Sequence, residues 1–400
     1  MDIGERNFQS GILHTGASDS SSLHGVRALV LVGGRPGAER FGSCPLALLD
    51  VLGRSVLMRT LDRLRAADVG EIAVVSDTDP LPSDDSLESC GLSVANPERF
   101  WEEALQRFRH LSRHSECVLV LRLGAWTELN VAAIVNQHRQ SGSAIVRAHS
   151  PAGEALDIFV ISSGSQAEAA ALLRGELRDE RIVAAAHYIN GYVNQLTTPG
   201  NLRSLTLDAF AGECDIHPCG RELRPGVWVG GGARIHRYAR VVAPAFIGQC
   251  CSVRRAAVVT RGSSLEHHSE VDCATVIENS SVMPYTRVGA GLDVEHSIVG
   301  FHQVHSLLRG ASVEIEDPHL LGATTAQVSV RIFAALSWLL TFLPYLGRKV
   351  SLEPKVETIM SAGADAMSPI PVLHDASLAS VEPQTKSYRE MAAARRYGNE

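Results

Sequence analysis

Residues 227–299 decide the fold of this 400-residue chain, and their central part, 245–282, reads AFIGQCCSVRRAAVVTRGSSLEHHSEVDCATVIENSSV. An aliphatic residue stands at every sixth position, and a small residue follows four positions after each of them. The aliphatic positions are Val229, Ile235, Val241, Ile247, Val253, Val259, Leu265, Val271 and Ile277. A period of six fits neither an amphipathic helix nor an alternating strand. It predicts coils of three short strands, with the aliphatic side chains inside and the small ones at the bends.

The repeat continues beyond this stretch after the loss of one residue, because the period resumes at Val282, Val288 and Val294. Each coil buries its face only against the next coil, so we expect the array to fold as one stack. The pattern resembles that of the left-handed parallel β-helix family, and the handedness follows from this resemblance. A sandwich of short strands would not require an exact period of six.

Composition excludes several classes of protein. Apolar residues make up 45% of the chain and charged residues 20%, which is ordinary for a globular protein, and the net charge is −7. The chain has no long basic run, so we expect no nucleic-acid partner. Eight cysteines without a CxxC pair predict reduced thiols. The N-terminus lacks the apolar core of a secretory signal, and the predicted location is therefore the cytoplasm.

Upstream of the repeat, apolar runs alternate with helical patterns. Residues 27–34 read RALVLVGG, which predicts a buried strand that ends at glycines. Further strands are predicted within 68–75 and at 117–122, 144–148 and 156–161, and helices at 55–67, 100–112 and 130–140. This alternation predicts a parallel sheet with right-handed crossovers. Its ligand edge lies beyond the carboxyl ends of the strands, at the loops after Val32 and Arg122.

The first domain resembles the sugar-nucleotide pyrophosphorylases, the family of mannose-1-phosphate guanylyltransferase and glucose-1-phosphate adenylyltransferase. That family reads GGxGTRLxPLTxxxPKPLLPVxGRP after its first strand, and residues 28–76 here read ALVLVGGRPGAERFGSCPLALLDVLGRSVLMRTLDRLRAADVGEIAVVS. Residues 191–199, GYVNQLTTP, correspond to the family's GYWxDIGTP. A β-helix after such a domain is a recurrent arrangement in the family. The resemblance covers roughly 26–315 and implies attack of a sugar-1-phosphate on a nucleoside triphosphate.

The predicted nucleotide-binding residues are Gly33, Gly34, Gly37 and Arg40. Glycines let backbone N–H groups approach an anion closely, so the loop after the first strand fits a phosphate cradle. A tight turn without a ligand is the plain alternative. Arg40 could reach a triphosphate, but Glu39 beside it would repel one.

The residues that carry the chemistry in this family are replaced. Its lysine in the PKP motif corresponds to Leu46, and its two metal-binding aspartates correspond to Ala125 and Gln195. Mg²⁺ prefers carboxylate oxygens, which neither side chain offers. Asp157 stands where the family has a glycine, and Glu128 is an alternative ligand near Ala125. We therefore predict no catalytic residue and no metal ligand, with Mg²⁺ as a cofactor only if the domain is active.

An acyltransferase is a third, distant class, because many hexapeptide-repeat proteins use a histidine as general base. The candidates are His236, His267, His268, His296, His302 and His305. We expect His267 and His268 on the outer wall, in contact with solvent. The unbroken period leaves no room for the protruding loop that is typical of acyltransferases.

The predicted organisation is a disordered tail at 1–25, a nucleotidyltransferase-like α/β domain at 26–215, a left-handed β-helix at 222–318, an apolar helix at 325–348 and a disordered tail at 350–400. The apolar run at 332–347 is short for a membrane span and contains Pro344. It fits a helix that packs on protein or one that lies on a membrane surface.

The leading hypothesis is a degenerate pyrophosphorylase homologue that acts as a regulatory or scaffolding subunit in sugar-nucleotide or surface-polysaccharide biosynthesis. Its expected ligand is a nucleotide or sugar nucleotide. Its expected assembly is a homo-oligomer, or a hetero-oligomer with an active relative, in the cytoplasm or at the inner face of the membrane through 332–347. The alternative is an active sugar-1-phosphate nucleotidyltransferase with relocated metal ligands.

Overall fold

The computed structural model describes residues 23–35, 39–78, 91–300 and 302–324. Gly37, the apolar run at 332–347, and the predicted helix and tail beyond 324 lie outside these ranges. Within them, no helix combines the length and the apolar character needed to cross a membrane. The predicted fold class is confirmed, because an α/β domain with a parallel-rich sheet precedes a three-sided β-helix.

The N-terminal domain is built on a seven-stranded sheet whose strands come from the predicted apolar runs. The strands are β1 Val26–Val32, β6 Ile72–Ser76, β7 Leu92–Val94, β8 Cys117–Arg122, β10 Ile145–His149, β11 Ala155–Ser162 and β12 Ala185–Tyr188. Their order in the sheet is β12-β10-β11-β8-β1-β6-β7. Strand β1 lies between β6 and β8 and is parallel to both, which places the end of β1 and the end of β8 at one edge.

The prediction of an entirely parallel sheet is wrong at one strand. Strand β11 runs antiparallel to both β8 and β10. Only residues 150–154 join β10 to β11, and so short a connection can form a hairpin but not a crossover. As a result, the start of β11 lies beside the end of β8.

Helices cover both faces of the sheet. They are α1 Val56–Ala66, α2 Phe100–Ser112, α3 Val131–Ser141, α4 Gln166–Arg174 and α5 Pro199–Ala211, with 3-10 turns at Leu46–Leu48 and Pro97–Arg99. The three predicted helices correspond to α1, α2 and α3. The buried side chains of α1, α3 and α5 join one hydrophobic cluster, and those of α2 and α4 join the other.

Three short strand pairs complete the N-terminal domain. They are β2 Arg40–Phe41 with β3 Cys44–Pro45, β4 Asp50–Val51 with β5 Arg54–Ser55, and β9 Ala125–Thr127 with β13 Val193–Gln195. The β4–β5 hairpin turns through Leu52 and Gly53, which have φ angles of 55° and 93°. Positive φ at both central residues is the geometry of tight two-residue hairpins.

The repeat forms three sheets, one for each side of the coil. The first contains β14 Arg221–Arg224, β15 Val227–Val229, β18 Ala245–Ile247, β21 Ser263–Leu265, β24 Ser281–Val282, β27 Ser297–Gly300, β28 Gln303–Ser306 and β29 Ala311–Glu314. The second contains β16 Arg234–Ile235, β19 Ser252–Val253, β22 Glu270–Val271, β25 Thr286–Val288 and β30 Leu321–Ala323. The third contains β17 Arg240–Val241, β20 Val258–Thr260, β23 Val276–Glu278 and β26 Asp293–Glu295.

The register of the coils follows the sequence period. Ile247 pairs in parallel with Leu265, 18 residues later, and Leu265 pairs with Val282, 17 residues later, after the missing residue. The predicted interior positions from Val241 to Val288 are buried. Val294 near the end of the repeat is only half-buried, because it has fewer coils stacked against it.

Antiparallel strands close the stack. Strand β14 pairs antiparallel with β15 at the start of the first sheet, and β28 and β29 follow β27 in antiparallel order at its end. Strand β30 closes the second sheet antiparallel to β25. The first sheet is therefore closed by antiparallel strands at both ends and the second at one end, whereas the third is parallel from β17 to β26.

The β4–β5 hairpin of the N-terminal domain docks on the wall of the β-helix. The Glu266 side chain is fully buried, and its two carboxylate oxygens accept hydrogen bonds from the backbone N–H groups of Gly53 and Leu52, at 2.7 and 3.2 Å. His267 Nδ1 lies 2.7 Å from Asp50 Oδ2. His267 lies on the outer wall as expected, but only 18% of its side chain is exposed because it contacts the N-terminal domain. The hexapeptide period distinguishes inward from outward residues, but it does not show which outward residues meet another domain.

A second contact joins helix α5 to the β-helix through Arg203. This side chain is buried, and its guanidinium donates to Gly262 O at 2.7 Å, Asn279 Oδ1 at 2.9 Å and Ser281 Oγ at 3.1 Å. Burial lowers the pKa of Arg203 to about 10. Since a buried charge that loses its hydrogen-bond partners is strongly destabilising, the two domains are held as one unit.

Candidate functional site

The predicted glycine cradle is filled by a carboxylate of the protein itself. Gly33 and Gly34 follow β1 with φ angles of 90° and 77°. Gly34 N–H donates to Asp77 Oδ2 at 2.8 Å, and the Arg40 guanidinium forms an ion pair with the same oxygen. Only 2% of the Asp77 side chain is exposed, so this carboxylate is shielded from solvent by the loop that it contacts.

The close approach of Asp77 explains the glycine at position 33. A Cβ atom built on Gly33 would lie 2.3 Å from the Asp77 carboxylate, which leaves no space for a side chain at this position. Arg40 also donates to Ser43 O at 2.6 Å, which fixes the guanidinium beside Asp77. Gly33, Gly34 and Arg40 therefore lie together around an internal anion, the Asp77 carboxylate.

A cavity of about 260 Å³ lies next to this loop, where β8 ends and β11 begins. Its lining contains four arginines and two acidic residues, together with both positions that correspond to the family's metal-binding aspartates. The charged lining residues are Arg35, Arg122, Arg147, Arg178, Glu39 and Asp157. Positive groups thus outnumber carboxylates by two to one.

Arg122 is the central cation of this cavity. Its Nε donates to Asp157 Oδ2 at 2.7 Å and its Nη1 to Glu39 Oε2 at 2.5 Å. Burial by itself lowers the pKa of Arg122, but the hydrogen bonds and charges of Glu39 and Asp157 outweigh it and raise the pKa. A Cβ on Gly124 would lie 2.6 Å from Arg122 Nη2, so the glycine makes room for the guanidinium.

The other arginines share the carboxylates that Arg122 already uses. Arg35 Nη2 lies 3.0 Å from Asp157 Oδ2, and Arg147 Nη2 lies 3.4 Å from Asp157 Oδ1. Burial lowers the pKa of both Arg35 and Arg147, and the charge of Arg178 lowers that of Arg35 further. Arg35 Nε is buried and has no hydrogen-bond partner among the described residues. The cavity therefore carries positive charge that its own carboxylates do not balance.

The positions of the missing metal ligands face each other beside these arginines. Gln195 on β13 is the register partner of Ala125 on β9, and both line the cavity. The Gln195 amide donates to Glu154. Leu46, at the position of the family's lysine, is buried in the hydrophobic core.

These residues do not fit Mg²⁺. The Ala125 side chain offers no oxygen ligand and that of Gln195 only a neutral one, whereas proteins usually hold Mg²⁺ through one or two carboxylates. Within the described ranges, no group of three His, Cys, Asp or Glu residues is placed to hold a metal ion. Glu128 is used elsewhere, since its carboxylate accepts hydrogen bonds from Asp215 N at 2.7 Å and Tyr192 N at 3.1 Å.

The geometry places a phosphate-type loop and a polar cavity at the carboxyl edge of a Rossmann-like sheet. Residues 28–189 match the model of the MobA-like NTP transferase domain family. The match runs from β1 to just beyond β12, and it supports the nucleotidyltransferase part of the resemblance. No curated protein matches the chain.

Sequence reasoning missed the arginines of this NTP transferase-like domain. Arg122 ends the apolar strand β8 and Arg147 interrupts β10, and a charged residue in a buried strand was the available signal. Asp157 was noted as a departure from the family's glycine, and the structure shows its role, because it contacts Arg35, Arg122 and Arg147.

Proposed function

We propose that the NTP transferase-like domain binds a nucleotide or sugar nucleotide without transferring a nucleotidyl group. In this proposal the protein is a regulatory or scaffolding subunit in sugar-nucleotide or surface-polysaccharide biosynthesis. It assembles with copies of itself or with an active relative, and 332–347 contributes to assembly or to contact with a membrane surface. The observation that supports the loss of catalysis is the pairing of Ala125 with Gln195 across β9 and β13.

The chemistry explains why this pairing matters. Nucleotidyl transfer brings two anionic reactants together, and catalysis depends on neutralising the charge that develops between them. Removing one stabilising group of this kind costs about 2.7–4 kcal/mol in the transition state. Since each 1.36 kcal/mol is a factor of ten in rate, the replacements at Ala125, Gln195 and Leu46 would lower turnover by several orders of magnitude, even with non-additive effects.

An active enzyme with relocated metal ligands has less support. Asp77, Asp157 and Glu39 are three carboxylates close to the glycine loop and the cavity, and each of them forms an ion pair with arginine. A metal ion would have to compete with guanidinium groups at every one of them.

The first prediction concerns turnover. The full chain is expected to release no pyrophosphate in a coupled assay with Mg²⁺, across the common nucleoside triphosphates and several sugar-1-phosphates. An active pyrophosphorylase in the same plate serves as control. Turnover of about 1 per second with any pair of substrates would contradict the proposal, since this rate is at the low end for ordinary enzymes.

The second prediction uses a double variant, Ala125→Asp with Gln195→Asp. It supplies two carboxylates where the family has metal ligands, so nucleotide binding should become stronger in the presence of Mg²⁺, as measured by calorimetry. Turnover should stay absent because Leu46 still lacks the lysine charge. The matched control is Ala125→Asn with Gln195→Asn, which adds neutral side chains of similar size. An equal response to Mg²⁺ in both variants would show that these positions do not face the bound phosphates.

A further inference from the structure

We propose that the cavity lined by Arg35, Arg122, Arg147 and Arg178 is a metal-independent binding site for the phosphate group of a small phosphorylated ligand. The proposal deepens the proposed function, on which it rests for the class of ligand. It assigns phosphate binding to these arginines, which lie around the end of β8 and the start of β11, and not to the glycine loop.

The first argument is the balance of charge. Four guanidinium groups and two carboxylates line the cavity. The Arg122 guanidinium by itself donates hydrogen bonds to both carboxylates. Partly buried cations without full compensation are costly, and a bound anion would remove that cost. The net excess of two positive charges matches a phosphate monoester, which carries between about −1.5 and −2 at neutral pH.

The second argument is the supply of hydrogen-bond donors. Arg35 Nε is buried with no partner in the described part of the chain. The side chains of Arg35 and Arg147 are 16% and 24% exposed, so both are ordered by the cavity wall yet accessible from it. Guanidinium groups donate two parallel hydrogen bonds to phosphate oxygens, a geometry that a lysine or a metal ion does not provide.

The third argument is that the glycine loop is already occupied. The Asp77 carboxylate accepts the Gly34 N–H and pairs with Arg40, which are the groups that a nucleotide phosphate would need. A phosphate could reach them only by displacing a nearly buried carboxylate. The arginine cavity requires no such displacement.

The size of the cavity limits the ligand. Its volume of about 260 Å³ lies just below the roughly 300–1,000 Å³ of pockets that enclose a drug-sized ligand. A sugar phosphate fits these dimensions. A sugar nucleotide would place one phosphate in the cavity and leave its base outside.

The third prediction tests the site by calorimetry on the full chain in EDTA, with inorganic phosphate, a hexose-1-phosphate, a nucleoside diphosphate and a sugar nucleotide as separate probes. We expect at least one phosphate ester to bind without Mg²⁺, and more weakly as salt rises. Arg147→Gln with Arg178→Gln should weaken that binding by about tenfold or more, since hydrogen bonds between charged groups are stronger than those between neutral groups. Arg147→Lys with Arg178→Lys, which keeps the charge, should retain part of it. The order of affinity among the probes identifies the source of the phosphate.

The matched control is Arg109→Gln, at an exposed arginine on α2 that does not line the cavity. This variant should bind the phosphate probes with the same affinity as the unmodified protein. If the double variant does not give a cooperative melting curve, the single Arg178→Gln variant, at an exposed position, replaces it.

Three results would overturn the site: no binding of any probe at millimolar concentration, binding that requires Mg²⁺, or binding that the arginine variants leave unchanged. Stronger binding in Asp77→Asn, together with unchanged binding in the arginine variants, would assign the phosphate to the glycine loop, because this variant removes the competing carboxylate. Arginine-dependent binding together with pyrophosphate release would overturn the proposed function and leave the site standing. Nucleotide binding that does not depend on the arginines, without turnover, would overturn the arginine site and leave the proposed function standing.

Discussion

Replacing Ile247 with aspartate is expected to unfold the β-helix. Ile247 is fully buried on β18 and pairs with Val229 on one side and Leu265 on the other, so it lies between neighbouring coils. Truncating a buried aliphatic residue to alanine costs about 2–5 kcal/mol, and an unpaired buried carboxylate costs more. Total stability of a domain is about 5–15 kcal/mol, so one such change removes a large part of it. Because each coil is stabilised by its neighbours, the loss should spread through the stack.

The measurement is thermal unfolding followed by circular dichroism, with Gln249→Asp as matched control. Gln249 is exposed two residues after Ile247, so the same new charge points to solvent and should change the melting temperature little. A melting temperature for Ile247→Asp close to that of the unmodified protein would mean that Ile247 does not face the interior.

The stability of the protein is expected to fall as pH rises from about 4.5 to about 7, and Glu266→Gln should remove much of this dependence. Burial, followed by the charge of Asp50, raises the pKa of Glu266 from 4.5 to about 7. The folded protein therefore holds a proton that the unfolded chain releases in this interval, so the free energy of unfolding decreases with rising pH. One pKa unit corresponds to 1.36 kcal/mol, and the full effect is on the order of 3 kcal/mol.

The titration of His267 also makes the protein less stable as pH rises. Burial lowers its pKa, but the hydrogen bond to Asp50 and the charges of Asp50 and Glu266 outweigh burial and raise it above 6.5. The stability that protonated His267 contributes is present below its unfolded pKa and is lost as pH rises through the folded value. Both groups therefore make the interface between the domains weaker on the alkaline side of neutrality.

The measurement for Glu266→Gln is urea unfolding at several pH values across this interval. The variant replaces one carboxylate oxygen, a hydrogen-bond acceptor, and is expected to be less stable at the acidic end. The readout is therefore the slope of the free energy of unfolding against pH. Glu278→Gln, which removes a carboxylate paired with the exposed Arg261, is the control and should keep the slope of the unmodified protein. Parallel pH profiles for the unmodified protein and Glu266→Gln would contradict the assignment.

The sequence predicts the β-helix well because its determinants are local. Each interior residue is six positions from the next, and the missing residue after Ile277 appears directly as a change in pairing distance. The reversed strand β11 was missed because alternating strands and helices favour crossovers, although the connection at 150–154 is too short for one.

The candidate site was predictable in outline but not in its charges. The glycine loop and the replacements at Ala125 and Gln195 can be read from motifs. The partner of the loop cannot, because Asp77 lies 43 residues from Gly34 in sequence. The ion pair of Arg122 with Glu39 spans 83 residues. Such contacts depend on how the strands are ordered in the sheet, which no local pattern specifies.

The antiparallel strands at the ends of the β-helix bear on how copies of the protein can associate. An exposed strand edge is a template on which another chain can add, and natural proteins protect such edges with charges or with altered pairing. Here the first sheet ends in β14, whose four exposed residues read RELR, and in β29, which is also fully exposed. Neither offers a parallel register for another coil, so the first sheet does not favour head-to-tail growth into filaments. Association through the flat sides of the coils remains, and such contacts can close around a rotation axis into assemblies of fixed size.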